Sequence, residues 1–208
     1  MNRRTALKNL GLSLGAVTVA PALGNLLQSC ESGPQWTPQF FSQEQARLLE
    51  LMVDVILPET DIPGAKSLGL ASKIDLMIHM LTEEEQKPLL TQLANQFTTL
   101  LQKDHDNISL TAVGTEQLAA QLQKYLRATE EQMQTWWEEI NADEDATMAL
   151  SDEAASFLYA NQIRGLAVNA FKQNEYIGEN VMAYAPIPGQ QKGCVDLNET
   201  TGGMAWSL

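Results

Sequence analysis

Apolar residues recur at helical spacing through most of the chain, and the first clear run is "FSQEQARLLELMVDVILPE". Leu48, Leu51, Met52, Val55 and Ile56 fall at intervals that line one face of a helix. Ser42 followed by Gln45 forms a capping box at its start. Pro58 ends it, because proline lacks an N–H and disfavours helical geometry in Leu57. "GLASKIDLMIHML" predicts a second helix with Ile74, Met77, Ile78 and Leu81 on one face. Thr82 and Glu85 read as a capping box for a third, "EEEQKPLLTQLANQFTTLLQKD", in which Pro88 demands a late start or a kink. "TEQLAAQLQKYLRA" predicts a fourth helix, with Leu118, Leu122, Tyr125 and Leu126 in register. "TEEQMQTWWEEIN" predicts a fifth, opened by Thr129 and Gln132, and "SDEAASFLYANQIRGLAVNAFKQ" a sixth and longest. From Asn174 onward Pro186, Pro188, Gly189, Gly193, Gly202 and Gly203 predict irregular structure.

No useful period-two alternation appears, and no internal repeat. These patterns predict an all-α protein, a single helical domain of about six helices with an irregular C-terminal tail. The chain of 208 residues suffices for one substantial core. "ESGPQWTPQ" reads as a linker, so the expected organisation is an N-terminal address over residues 1–30, a linker over 31–41 and the domain over 42–208.

Charge sharpens the picture of that address. The chain carries 13 lysines and arginines against 26 acids, and no acid precedes Glu31. Without its first 30 residues it keeps 10 bases against 26 acids, hence a formal charge of −16. Such a surface repels phosphate backbones and excludes nucleic acid as a partner. "MNRRTALKNLGLSLGAVTVAPALGNLLQSC" has a basic start, a mildly apolar stretch and an abrupt return to polar sequence, the layout of an export signal. Ser13, Thr18, Pro21 and Asn25 interrupt it, which makes a poor permanent membrane span. Arg3 and Arg4, followed by Leu7 and Lys8, resemble the twin-arginine signal that exports folded proteins to the periplasm, although Ala6 replaces the larger apolar residue usual there. An ordinary secretory signal is the alternative. "LLQSC" resembles a lipoprotein cleavage box that would acylate Cys30, with Gln28 an atypical residue inside it. Cys194 is then a single thiol available to a disulfide or an inter-subunit contact. Without acylation a Cys30–Cys194 bridge is open as well.

Catalytic chemistry is hard to place. His79 lies one turn from Asp75 and reads as an exposed i,i+4 pair, and His105 in "KDHDN" reads as a solvated turn. No glycine-rich phosphate loop follows a strand, and neither a haem-attachment motif nor a four-cysteine cluster set occurs. No catalytic, cofactor-binding or metal-ligating residue is therefore expected in this chain. "NADEDATMALSD", Asn141 to Asp152, approximates a calcium loop. Ala146 stands where the turn needs glycine, and Asp152 is equally a first-turn acid favoured by the helix dipole. Trp136 and Trp137 point about 100° apart on a helix, so one should be core and its neighbour at a rim.

The densest local signal is "DVILPETDIPGAKSLG". Pro58 and Pro63 fix φ, Gly64 and Gly69 supply turn freedom, and Thr60 or Asp61 can hydrogen-bond the local backbone. Together they describe a stiff connector, which loses little entropy when a partner docks.

"DVILPETDIPGAKSLGLASKID" resembles the signature of the gluconate 2-dehydrogenase subunit 3 family, on Asp54, Ile56, Pro58, Thr60, Asp61, Pro63, Gly64, Ala65, Lys66, Gly69, Ile74 and Asp75. "YAPIPGQQKGC" and "GGMAW" resemble the family's C-terminal segment, but "NAFKQNEYIGEN" departs from its usual "GYYTSE"-like stretch. The resemblance implies an exported, non-catalytic small subunit without a cofactor of its own. The implied partners are a large FAD-bearing flavoprotein of the glucose–methanol–choline type, a cytochrome c subunit carrying haem c, and the twin-arginine translocase. Membrane association would then come from a lipid anchor or from the complex. The docking residues so implied are Pro58, Thr60, Asp61, Pro63, Gly64, Lys66, Tyr184, Pro188 and Gly189. The alternative is a self-standing, lipid-anchored periplasmic binding or scaffold protein with no dehydrogenase partner.

Overall fold

A computed structural model describes residues 36–142, 150–185, 189 and 194–207. Arg3, Arg4, Cys30, Pro188 and most of the calcium-like segment lie outside them. Among the described residues the structure is helical: α1 (Gln43–Ile56), α2 (Leu70–Leu81), α3 (Lys87–Asp104), α4 (Thr115–Leu126), α5 (Glu130–Ile140) and α6 (Asp152–Lys172), then the short α7 (Glu175–Asn180) and α8 (Leu197–Thr201). The six long helices are those the apolar periodicity predicts. Capping boxes at Ser42–Gln45 and Thr129–Gln132 open α1 and α5 as expected.

α6 is the centre, and it touches α1 to α5 and α7. Its sequence explains this. Ala154, Ala155, Ala160, Ala167 and Ala170 are fully buried, so neighbouring helices can approach closely on several sides. Phe157, Tyr159 and Ile163 fill the wider gaps. Around them the aromatic rings form one chain: Tyr159 lies 5.3 Å from Phe97, Phe97 lies 6.4 Å from Tyr125, and Tyr125 lies 5.6 Å from Trp136. Trp136 continues to Phe157 at 5.0 Å. Trp137 meets Phe157 edge-on from the rim, 44% exposed against 9% for Trp136, which divides the tandem as its helical angle requires.

Polar ties fasten the helix ends. Lys124 of α4 bridges Asp104 of α3 at 3.3 Å and Glu153 of α6 at 2.7 Å, and Tyr125 donates to Glu153 at 3.0 Å. Partial burial works against the Lys124 ammonium, yet Glu153, Tyr125 and Asp104 hold its pKa above the ordinary lysine value. Burial, then the Glu153 charge, pushes the Tyr125 phenol up. The buried Ser156 hydroxyl makes no hydrogen bond of ordinary geometry, but lies close enough to the Tyr125 oxygen to oppose that shift. Arg47 reaches from α1 to the carbonyls of Leu110 and Val113 and so pins the α3–α4 connector. Glu139 accepts from the backbone and hydroxyl of Ser151, joining the end of α5 to the start of α6.

Four local expectations are corrected. Asp75 is not an exposed partner of His79 but is buried at 1% exposure. Its carboxylate accepts the backbone N–H groups of Gln39 at 2.7 Å, Phe40 at 3.1 Å and Phe41 at 3.0 Å. Leu81 is not on the buried face of α2, which consists of Leu70, Ala71, Ile74, Asp75 and Ile78. The Thr82–Glu85 capping box is absent. α3 starts only at Lys87, with Pro88 in its first turn where a missing N–H costs nothing, and Thr82 instead closes α2. The tail beyond Asn174 is not wholly irregular. Asn174 and Asp196 cap the two short helices, and Ala183 pairs in parallel with Trp206.

Asp75→Asn replaces one acceptor oxygen with an N–H donor facing backbone donors. It should destabilise the fold by about 2–4 kcal/mol, lowering Tm by roughly 5–15 °C in thermal denaturation. Amide exchange should accelerate at Gln39, Phe40 and Phe41 first, and wild-type protection there would contradict the assignment.

Candidate functional site

The connector between α1 and α2 closes on itself. Ala65 donates to the carbonyl of Leu57 at 2.8 Å, and Leu70 donates to the carbonyl of Ala65 at 3.0 Å, so the loop is stitched to both helices. Glu59 is the clasp: its Oε2 accepts from the Gly64 N–H at 2.9 Å and from the Ser67 hydroxyl at 2.6 Å. The Ser67 hydrogen bond, then that of Gly64, holds the Glu59 carboxyl below its ordinary value of 4.5. At Gly64 the chain crosses itself. A Cβ there would stand 2.5 Å from the Glu59 nitrogen and 2.7 Å from the Pro58 carbonyl carbon, both backbone atoms. Gly69 takes φ +62° as the loop turns into α2, a conformation glycine adopts without cost.

Inside the clasp the chain is turned outward. Thr60 Oγ1 accepts from the Ile62 N–H at 3.2 Å, the local backbone bond expected of Thr60 or Asp61. Pro58, Thr60, Asp61, Ile62 and Lys66 are exposed, Pro63 is half-buried, and Gly64 and Ala65 are buried beneath them. The structure thus gathers the first six predicted docking residues on one braced loop, with Gly64 serving as the crossing point and the others on or near the surface.

The second predicted patch is on the C-terminal segment. Tyr184 and Gly189 are exposed there, and Cys194 is a free, exposed thiol. Backbone bonds from Ala183 to Ala205 and from Ser207 to Ala183 tie that segment together. Among the described residues no hydrogen bond or ion pair joins it to the loop. Glu59 and Ser67 were missed by sequence reasoning, because the loop alone brings them together.

A shallow groove of about 620 Å³ lies elsewhere, along α3 between Lys87 and Thr99 and against Asp152. Glu84, Lys87 and Asp152 line it together with the amides and hydroxyls of α3, and Gln96 donates to the Leu150 carbonyl at 3.0 Å. Among the described residues no group of three or more His, Cys, Asp or Glu side chains is placed to hold a metal ion, and no helix is long and apolar enough to cross a membrane.

Because the folded pKa of Glu59 is lowered, the clasp contributes fully above the ordinary value of 4.5 and is lost as pH falls through the lower folded value. Protection of the Gly64 amide, followed by NMR, should fall over that acid range in the wild type. Glu59→Gln should remove the pH dependence, and Gly64→Ala should lower the protection at every pH.

The family model described as gluconate 2-dehydrogenase subunit 3 matches residues 43–189. No curated protein and no solved structure matches the chain. The family match runs from the first residue of α1 through the clasped loop and the aromatic core to Gly189, and so takes in every long helix and both predicted docking patches. It stops short of Cys194 and α8. By this match the chain belongs to the gluconate 2-dehydrogenase subunit 3 family.

Proposed function

We propose that this chain is the non-catalytic accessory subunit of a periplasmic, flavin-dependent dehydrogenase complex. It binds the large flavoprotein subunit and escorts that subunit through the twin-arginine pathway. The observation that carries this reading is the family match across the whole helical body, whose family is itself a dehydrogenase subunit. The clasped loop supports it physically. Its exposed side is held by Glu59 and by the crossing at Gly64 before any partner arrives, so docking on it would order little new chain. FAD belongs to the large subunit in this reading, and a cytochrome c subunit would pass electrons onward. The departure at "NAFKQNEYIGEN" leaves the substrate of the large subunit unassigned.

Export gives one test. With Arg3→Lys and Arg4→Lys together, the flavoprotein should remain in the cytoplasm, as read by activity in periplasmic fractions. Normal delivery in a strain lacking this chain would remove the escort role. Docking gives a second. Asp61→Ala with Lys66→Ala should weaken the purified complex by about threefold to tenfold, the range of rim contacts rather than buried anchors. The subunit itself should stay folded by circular dichroism.

A further inference from the structure

α2 is apolar on two sides. Ala71, Ile74, Asp75 and Ile78 form the stripe buried against α1 and α6. Leu76, Met77 and Met80 fall at i, i+1 and i+4 on another side, with Lys73 three residues ahead of Leu76 on the same face. On this side Leu76 is 46% exposed and Met80 69%, and Leu81 at the end of the helix is 73% exposed. A single exposed leucine is ordinary, but neighbouring apolar side chains along one helix face are not. A helix apolar on two faces is normally covered on both, and within the described residues only one face of α2 is covered.

The surroundings of the stripe say what fits it. Lys73 stands in its N-terminal half, and the loop ahead of it exposes Glu59 and Asp61 beside Lys66, in a chain whose formal charge is −13. Exposed Glu83, Glu84 and Glu85 follow Thr82 beyond Leu81, with Glu84 ion-paired to Lys87. The rim is therefore of mixed charge at one end and acidic at the other. An anionic bilayer would meet three glutamates beside its point of insertion and be repelled. A protein groove can answer both ends at once, and the adaptable thioethers of Met77 and Met80 suit such a contact.

We propose that this outer stripe of α2 is the main contact with the large subunit. It lies in an apolar groove that sets carboxylates opposite Lys73, and lysines or arginines opposite Glu83 and Glu85. The proposal rests on the accessory-subunit reading, and extends it from the loop to the helix that follows.

The test uses the full chain and the flavoprotein that co-purifies with it from its own host. Leu76→Glu with Met80→Glu should weaken the complex by about tenfold or more in titrations of the purified large subunit. Trp206→Ser, on the exposed C-terminal segment, should change Kd by less than about threefold. Lys73→Glu should slow association at low salt, with the effect shrinking at high salt. All variants should keep the wild-type helix content, since the altered side chains lie outside the core. If the glutamate pair fails to fold, Leu76→Gln with Met80→Gln carries the same measurement. A wild-type chain that binds no flavoprotein would remove the accessory-subunit reading and the proposal with it. A wild-type complex that the stripe variants leave intact, or that only Trp206→Ser breaks, overturns the stripe alone. So does a stripe-dependent dimer of the isolated chain in sedimentation, or stripe-dependent flotation with phosphatidylglycerol vesicles, because either puts a different occupant on that face.

Discussion

Six helices approach α6, and the fold depends on the narrowness of that helix. Buried alanines let the neighbours come close, while Phe157, Tyr159 and Ile163 stand out between them and fix which neighbour sits where. A close-packed interior tolerates neither added bulk nor voids, so the ring chain from Tyr159 to Phe157 follows from where those alanines leave room. The Lys124 bridges to Asp104 and Glu153 then lock the ends of helices already positioned by packing. Their half-exposed setting makes them fasteners rather than the source of the architecture.

Because α6 takes the centre, α2 is left at the edge, with α1 and α6 as its long neighbours. That position makes its second apolar stripe informative. The clasped loop immediately before it is rigid for reasons internal to itself: a carboxylate holding two donors, and a chain crossing with no room for a methyl group. Rigidity and exposed apolar surface thus come together over one continuous stretch of sequence, from Pro58 to Leu81.

α1 to α5 were legible because each buries one regular stripe, α6 by its long run of small and apolar residues, and the caps at Ser42 and Thr129 because they act within a single turn. Where the sequence misled, the deciding partner lay far along the chain. Asp75 looked like a solvent-facing acid one turn from His79, yet it faces inward because Gln39, Phe40 and Phe41 bring their N–H groups to it. Leu81 sits in step with Ile74 and Ile78, but lies at the end of α2 and is 73% exposed among the described residues. Thr82 and Glu85 satisfy a capping pattern that Pro88 overrides by delaying the helix. α7 and α8 are too short to display a period at all. The docking residues of the loop were found through their turn chemistry, whereas the Glu59 clasp appears only once the turn has closed.

The Asp75 anchorage has a mechanical meaning. Gln39, Phe40 and Phe41 lie just ahead of α1, and they are tied sideways to a carboxylate in the middle of α2 rather than to the end of a fraying helix. Trp36 adds a further tie to Glu50 of α1 at 2.8 Å. Tension applied to the chain ahead of Trp36 would be divided between two helices and delivered to the core, instead of peeling α1 open from its first turn. A domain hauled by its leading end while already folded would carry the load at that point.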